Sequence, residues 1–416
     1  MKTFVEKLKN NPIFQLSLSS KELFHSNFLA WLAEDDNTRC VFNKVMQTWL
    51  DDKNWEYKPN EMEVKREYNH FDFCVCDKLS IDGNDVTGSV HVVLENKFKS
   101  IAYTAQLVDY KDRTKTLNEE GYKNKYKAEE ANKGNILPRG WRDEVEHPNT
   151  KYILLTLADN FLDKDEILSL GWKIVTYAEY AKLLRTIIGE LKDDEIKGNK
   201  AFYVELIAQY CNFIEMFSEH INECLDNVKE NNYWDILKND DFTAVRCNDI
   251  WQKVVMHKYA QELFKLTQEK FPNTKIVFDD KDSWNDTSDR PLMIRVAYFR
   301  NEALVELKYL LNNGVVFCVQ QQGDNGLSIG MVVKEEETIK KSVRKQDKGK
   351  WNASIKKLVA QKKLDRIITG DTFNSFQSEG SCGYYYIHNS EKLNIKKTLE
   401  KMVKLMEDAI SASKLE

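Results

Sequence analysis

No run of about 18 or more apolar residues occurs anywhere in the chain, so hydropathy offers no transmembrane helix. The opening stretch, MKTFVEKLKNNPIF, carries a charge every few residues and has no apolar centre, so no secretory signal is expected there. Eight cysteines are scattered at Cys40, Cys74, Cys76, Cys211, Cys224, Cys247, Cys318 and Cys382, with no Cys-x-x-Cys pair and no Cys/His cluster at zinc spacing. Free thiols in a reducing cytoplasm are the expectation. Cys74 and Cys76, two apart in a strand-like run, read as small buried fillers. Internal repeats and low-complexity tracts are also lacking, which argues against a solenoid or a disordered chain.

What is present is the material of a globular protein. The 416 residues are 42% hydrophobic, 11% aromatic and 31% charged, and they exceed the usual size of one hydrophobic core. Two domains are expected, 1–228 and 229–416, with the polar, Asn-rich DNVKENNYWD segment at the boundary. The net charge of -5 is unevenly spread. Residues 1–226 hold 30 basic and 39 acidic side chains, giving -9, and the remainder holds 31 and 27, giving +4.

The first half alternates helices with strands, which favours an α/β core. KELFHSNFLAWLAED has helical spacing of Leu23, Phe24, Phe28, Trp31 and Leu32 as a buried stripe, with Ser19 or Ser20 as cap. CVFNKVMQTWL is a second helix. EVKREYNHFDFCVCDK gives one or two strands, and DGND with Gly88 marks a turn. VHVVLENKF is the strongest strand, a near-continuous apolar run of the kind buried on both faces. The helix TAQLVDYKDRTKTL follows, and then a highly charged 111–148 segment that reads as an elaborated loop or surface helix over the site. KYILLTLAD, GWKIVTY, the helix AEYAKLLRTIIGEL and a long amphipathic helix at about 200–225 complete this half. The second half reads as α+β with an antiparallel sheet: a helix, the strands TKIVFDD, PLMIRVAYF, ALVELKYLL, GVVFCVQQQ, LSIGMVV and GYYYIH, and a terminal helix. DNG between two of these strands signals a hairpin.

Chemistry concentrates on VHVVLENKF. Strand side chains alternate between faces, so Glu95 and Lys97 point the same way. Opposite charges are costly inside a buried strand and useful at its end. Asp72 begins FDFCVC, which pairs with VHVVLENK if the two form a hairpin, and then stands beside Glu95. Two neighbouring carboxylates repel unless a cation lies between them, and hard oxygen donors suit Mg²⁺ or Mn²⁺. Such a metal polarises a phosphodiester oxygen and lowers the pKa of bound water, while Lys97 orients that water and offsets developing negative charge. Gln106 and Tyr110, at i and i+4, share a helix face: Gln106 is placed to bond a metal-bound water or phosphate, and Tyr110 to touch the nucleic-acid backbone. Glu22 and Ser26 share a face of the opening helix, with His25 adjacent, and Glu22 is a candidate third carboxylate.

The ordered set of Glu22, Asp72, Glu95-Asn96-Lys97 and Gln106-x-x-x-Tyr110 resembles the PD-(D/E)XK nuclease superfamily. ELFHSNFLAWL, FDF, VVLENKF and QLVDY are similar to one bacterial branch found in anti-phage defence proteins, over roughly residues 13–190. The resemblance implies a restriction-endonuclease-like αβββαβ core with a mixed central sheet. It implies Mg²⁺-dependent hydrolysis of phosphodiesters by water, with Mn²⁺ as a substitute and DNA as the favoured substrate. It assigns metal binding to Asp72, Glu95 and a backbone carbonyl near Asn96, and nucleophile assistance to Lys97. Phe71 stands where the family signature has proline, and the long 111–148 segment bears on substrate access.

Each residue also has a structural reading. Glu95 and Lys97 alone would be a surface ion pair on one strand face, Asp72 a turn cap, Glu22 a first-turn carboxylate favoured by the helix dipole, and Gln106 and Tyr110 core-edge residues. His25 reads as structural, because this chemistry does not require it. In the second half, residues 340–366 hold 11 basic and two acidic side chains around Trp351. Lys356 and Lys357 are candidates for phosphate contact and Trp351 for stacking on a base, set against a solvated helix face balanced by Glu335, Glu336 and Glu337. The rival to a nuclease is a catalytically silent module that keeps the fold to bind nucleic acid or protein. An RNA nuclease or partner-activated effector is a third reading, and the sequence leaves room for a homodimer.

Overall fold

The computed structural model describes residues 3–11, 13–14, 21–81, 84–86, 88–98, 102, 104–130, 149–157, 164–192, 195–196, 199–278, 292–299, 301–310, 315–333, 373–378, 384–389 and 391–413. The chain divides into two compact units, Met1–Asn222 and Glu223–Glu416.

The first unit opens with helices α1 (Phe4–Lys9), α2 (Lys21–Glu34) and α3 (Arg39–Leu50). A five-stranded sheet follows, built from β1 (Met62–Tyr68), β2 (Phe71–Asp77), β5 (Val90–Lys97), β6 (Lys151–Thr156) and β7 (Trp172–Thr176), in the order β1-β2-β5-β6-β7. A small two-stranded ribbon, β3 (Leu79–Ile81) with β4 (Asn84–Val86), interrupts the path from β2 to β5. Helix α4 (Thr104–Glu130) connects β5 to β6, and α5 (Lys164–Ser169) connects β6 to β7. Helices α6 (Tyr177–Glu190) and α7 (Lys200–Asn227) follow, the latter running on past residue 222.

β1, β2 and β5 pair antiparallel, whereas β5, β6 and β7 pair parallel, so the sheet is mixed. The antiparallel pairs need only short turns, while the parallel pairs need crossovers, which α4 and α5 provide. β5 is the central strand, and its Val90, Val92, Val93 and Leu94 are all buried, as its apolar run requires. One face packs Phe71, Cys74, Cys76 and Val93 with Leu107, Tyr110 and Leu117 of α4 and with Trp172. On the other face Phe73 meets Phe42 of α3. The thiols of Cys74 and Cys76 lie 3.5 Å apart in the first of these layers, as buried fillers.

One local expectation changes. Leu23 is 38% exposed, and the buried face of α2 is instead His25, Ser26, Phe28, Leu29, Leu32 and Ala33. Of the 111–148 segment, the described part takes the helical alternative and continues α4 to Glu130, while 131–148 lie outside the described residues, as do Ser19 and Ser20. Gly121 explains how α4 lies so close to the sheet: a Cβ there would come within 2.5 Å of the Ser89 backbone nitrogen.

The second unit contains α8 (Asp240–Ala244), α9 (Asn248–Lys270), α10 (Ile395–Ser413) and a seven-stranded sheet. Its strands are β8 (Ile276–Phe278), β9 (Leu292–Phe299), β10 (Glu302–Leu310), β11 (Val315–Gln322), β12 (Ser328–Val333), β13 (Phe373–Ser378) and β14 (Tyr384–Asn389), ordered β13-β14-β12-β11-β10-β9-β8. The expected antiparallel sheet is therefore corrected at one edge, where β8 runs parallel to β9, and β13 is a strand that its polar sequence does not announce. β11 and β12 pair antiparallel across the GDNG connection, which Gly323 opens with a φ of 52° ahead of Asp324-Asn325-Gly326. Trp351, Lys356 and Lys357 lie outside the described residues.

Candidate active site

β2 and β5 bring the acidic residues together through their register. Phe73 pairs with Leu94 and Cys74 with Val93, so Asp72 and Glu95 are the next step along the same ladder. Cys74 and Val93 both face α4, and alternation puts Asp72, Glu95 and Lys97 on that face as well. The apolar layer thus ends in three charges at one end of the strand pair.

Glu95 is only 1% exposed, so its charge must be compensated locally. Lys97 Nζ lies 2.6 Å from Glu95 Oε1, and Gln106 Nε2 donates to the same oxygen at 3.1 Å. Gln106 Nε2 also lies 2.8 Å from the Tyr110 hydroxyl, so the residues one turn apart on α4 form a chain ending on Glu95. The Tyr110 phenol is held well above its ordinary pKa, first by burial and then by the negative charge of Glu95, with Asp72 adding to it. It stays protonated, and both carboxylates act on it. Tyr110 is 5% exposed and packs edge-on against Phe71 at 5.4 Å, so it supports Gln106 from within the core. A contact with nucleic-acid backbone, the sequence-level expectation, does not fit that burial.

Asn96 ties the two acidic strands together. Its backbone N–H donates to Asp72 Oδ2 at 2.7 Å, which fixes the aspartate against the end of β5. Its side chain points to the opposite face, where Tyr177 donates to Asn96 Oδ1 and Asn96 Nδ2 donates to Ser26 Oγ at 3.4 Å. Only the main chain of Asn96 is therefore on hand for a metal. Sequence reasoning misses both Tyr177 and the role of the Asn96 side chain. A signal for Tyr177 exists: Thr176 and Glu179 form a capping box that starts α6 and sets Tyr177 at its first turn.

His25 lies beneath this strand end, fully buried among aromatic rings, with Phe98 at 4.3 Å and Tyr177 at 4.7 Å. Its Nδ1 is 2.8 Å from the Tyr210 hydroxyl, and burial pushes its pKa down to about 3, so the ring is neutral. The backbone of Glu22 lies in α2, but its side chain is outside the described residues.

A mixed sheet in which β2 and β5 bring Asp72, Glu95 and Lys97 together at one end is an α/β architecture with a charged, mainly acidic centre. Residues 11–212, most of the N-terminal unit, match the PD-(D/E)XK nuclease superfamily. No curated protein and no solved structure matches the chain.

Proposed function

We propose that the N-terminal unit is a divalent-metal-dependent nuclease that hydrolyses phosphodiester bonds, with DNA as the favoured substrate. The observation that carries this reading is the placement of Asp72, Glu95 and Lys97 on one face at the end of β2 and β5. Among the described residues no group of three or more His, Cys, Asp or Glu side chains is suited to a metal. Two carboxylates fit the need nonetheless: Mg²⁺ commonly takes one or two carboxylates and fills its remaining positions with water and substrate phosphate. Asp72, Glu95 and the main-chain carbonyl of Asn96 are the groups proposed to hold it, with Mn²⁺ as a substitute and Glu22 as a further carboxylate.

When bound, the metal supplies Lewis-acid polarisation of the phosphate and a water acidic enough to attack at neutral pH. The chain's own residues do the rest. Asn96 N–H holds Asp72 in one orientation, and Gln106, backed by Tyr110, holds Glu95. Lys97 carries its charge beside Glu95, where it orients the nucleophile and offsets charge growing on the phosphate. Water attacks phosphorus as the P–O bond to the leaving sugar oxygen breaks; the water gives up a proton to solvent and the leaving oxygen takes one up from solvent, giving a phosphate monoester and a sugar hydroxyl with no covalent enzyme intermediate.

The test is Mg²⁺-dependent digestion of plasmid, single-stranded DNA and RNA by the wild type and by Asp72→Ala, Glu95→Ala and Lys97→Ala. Variants that cleave at the wild-type rate would sink the reading, and a preference for RNA would redirect it. The silent-module alternative is favoured instead if Mn²⁺ fails to bind while nucleic acid binds tightly. For the second unit we propose that Trp351, Lys356 and Lys357 contact the substrate, on the strength of the basic segment 340–366. Substituting both lysines should then flatten the salt dependence of DNA binding by roughly two phosphate contacts. A role in phage defence follows from the branch resemblance and is tested by phage plating on cells with and without the Glu95→Ala protein.

A further inference from the structure

Glu95 already has a cation. Lys97 Nζ sits 2.6 Å from Oε1 of a carboxylate that is 1% exposed, and the lysine side chain itself is only 11% exposed. Both charges are withdrawn from water, and each compensates the other. Gln106 Nε2 occupies the same oxygen at 3.1 Å. A divalent ion that uses Glu95 meets this ammonium at the same carboxylate, where two cations repel in a weakly screened setting.

We propose that Lys97 is the internal counter-ion of Glu95 in the metal-free protein and competes directly with the metal for it. The inference rests on the metal-dependent reading of the site. Metal binding breaks the Glu95–Lys97 ion pair and releases the ammonium toward an anionic substrate. One lysine thus serves two states: it sits against a buried carboxylate before metal arrives, and it presents positive charge to the substrate afterwards. Metal and phosphate binding are consequently coupled, because the displaced ammonium lowers the affinity for metal alone and regains an anionic neighbour when phosphate enters.

The experiment is calorimetric titration of Mn²⁺ into the full-length wild type and the Lys97→Met, Lys97→Arg and Glu95→Gln proteins, without nucleic acid. Lys97→Met keeps the length of the side chain and removes its charge. We expect it to bind Mn²⁺ at least tenfold more tightly than the wild type, Lys97→Arg to stay within about threefold, and Glu95→Gln to lose the site. Thermal unfolding gives a second measure: Mn²⁺ should raise the Tm of Lys97→Met more than that of the wild type, because the metal replaces a missing counter-ion. Should Lys97→Met not fold, Lys97→Gln carries the same expectation. Equal or weaker Mn²⁺ affinity in the neutral variants overturns the competition while leaving a metal site that Glu95→Gln abolishes. Mn²⁺ binding that is indifferent to Glu95→Gln overturns the metal-dependent reading itself, and the competition with it.

Discussion

β5 in the first unit and β10 in the second carry the same local pattern. Glu95 and Lys97 share one face of β5 with 2.6 Å between their charges, and Glu306 and Lys308 share one face of β10 with 3.0 Å between theirs. Both glutamates are almost fully buried, at 1% and 4% exposure. The neighbouring strand makes the difference. β2 sets Asp72 one step beyond the Phe73–Leu94 pair, next to Glu95, whereas β9 sets Arg295 directly opposite Glu306, its guanidinium 3.8 Å from the carboxylate. The first trio has a formal charge of -1 and the second of +1. A Glu-x-Lys strand invites a cation only where the adjacent strand adds a second carboxylate; where it adds an arginine, the carboxylate meets two fixed cations and functions as a structural ion cluster.

The largest contrast should appear in catalysis. Asp72→Asn and Glu95→Gln should each slow cleavage by about 10²–10³-fold or more, the loss seen when one charged contact of a transition state is removed. Glu306→Gln should leave the cleavage rate per folded molecule unchanged, as read in a plasmid-nicking assay. If Glu306→Gln is as damaging as Glu95→Gln, the contrast between the two strands does not hold.

Stability should show the reverse emphasis. Lys308→Met removes one partner of a buried ion cluster and should cost about 3–5 kcal/mol in urea unfolding. Because two units need not unfold together, a local probe such as Trp251, buried in α9 of the second unit, is the better reporter.

Acid should weaken both units through one histidine each. His25 and His257 are fully buried, and burial lowers each pKa to about 3 from 6.5. A depressed folded-state value means that the contribution is complete above pH 6.5 and is lost as pH falls toward about 3, because the unfolded chain takes up the proton first. Each group should cost about 1.4 kcal/mol per pH unit within that window. His25→Gln, which gains no proton, should flatten the acid slope of the first unit only, as measured by urea midpoints from pH 7 to pH 4.

The smallest effect should come from Tyr110→Phe. It removes the hydroxyl that Gln106 shares with Glu95 and should weaken Mn²⁺ binding by about 1 kcal/mol, roughly fivefold, with Gln106→Ala at least as large. Phe fills the ring's place against Phe71, so unfolding should change little.

Much of the first unit is legible in its residue pattern. β5 is readable because its β-branched, near-continuous apolar run suits a central strand, and Glu95 and Lys97 share a face by simple alternation. Gln106 and Tyr110 are linked by helix period, although the placement of Tyr110 is not legible: a tyrosine one turn from a glutamine reads the same whether its ring faces solvent or, as here, the core. Asn96 hides for a similar reason. The sequence places it between two charged residues but cannot show that Tyr177, 81 residues later, and Ser26, 70 residues earlier, meet its side chain on the far face. In the second unit the strands of the β9–β12 meander are readable, while the parallel β8–β9 pair is not, since local pattern does not specify the direction of a neighbour.

By itself, then, the sequence determined period, face and residue type: which segments are strands, which charges point together, and which chemistry a carboxylate and a lysine can perform. Tertiary structure decided what stands opposite. Alternation is a property of one strand, so it makes Glu95–Lys97 and Glu306–Lys308 look alike. Register is a property of two strands, and it puts Asp72 beside one glutamate and Arg295 beside the other. The energy of a buried charge depends on its nearest neighbours in space, and those are chosen by pairing across the sheet rather than by position along the chain.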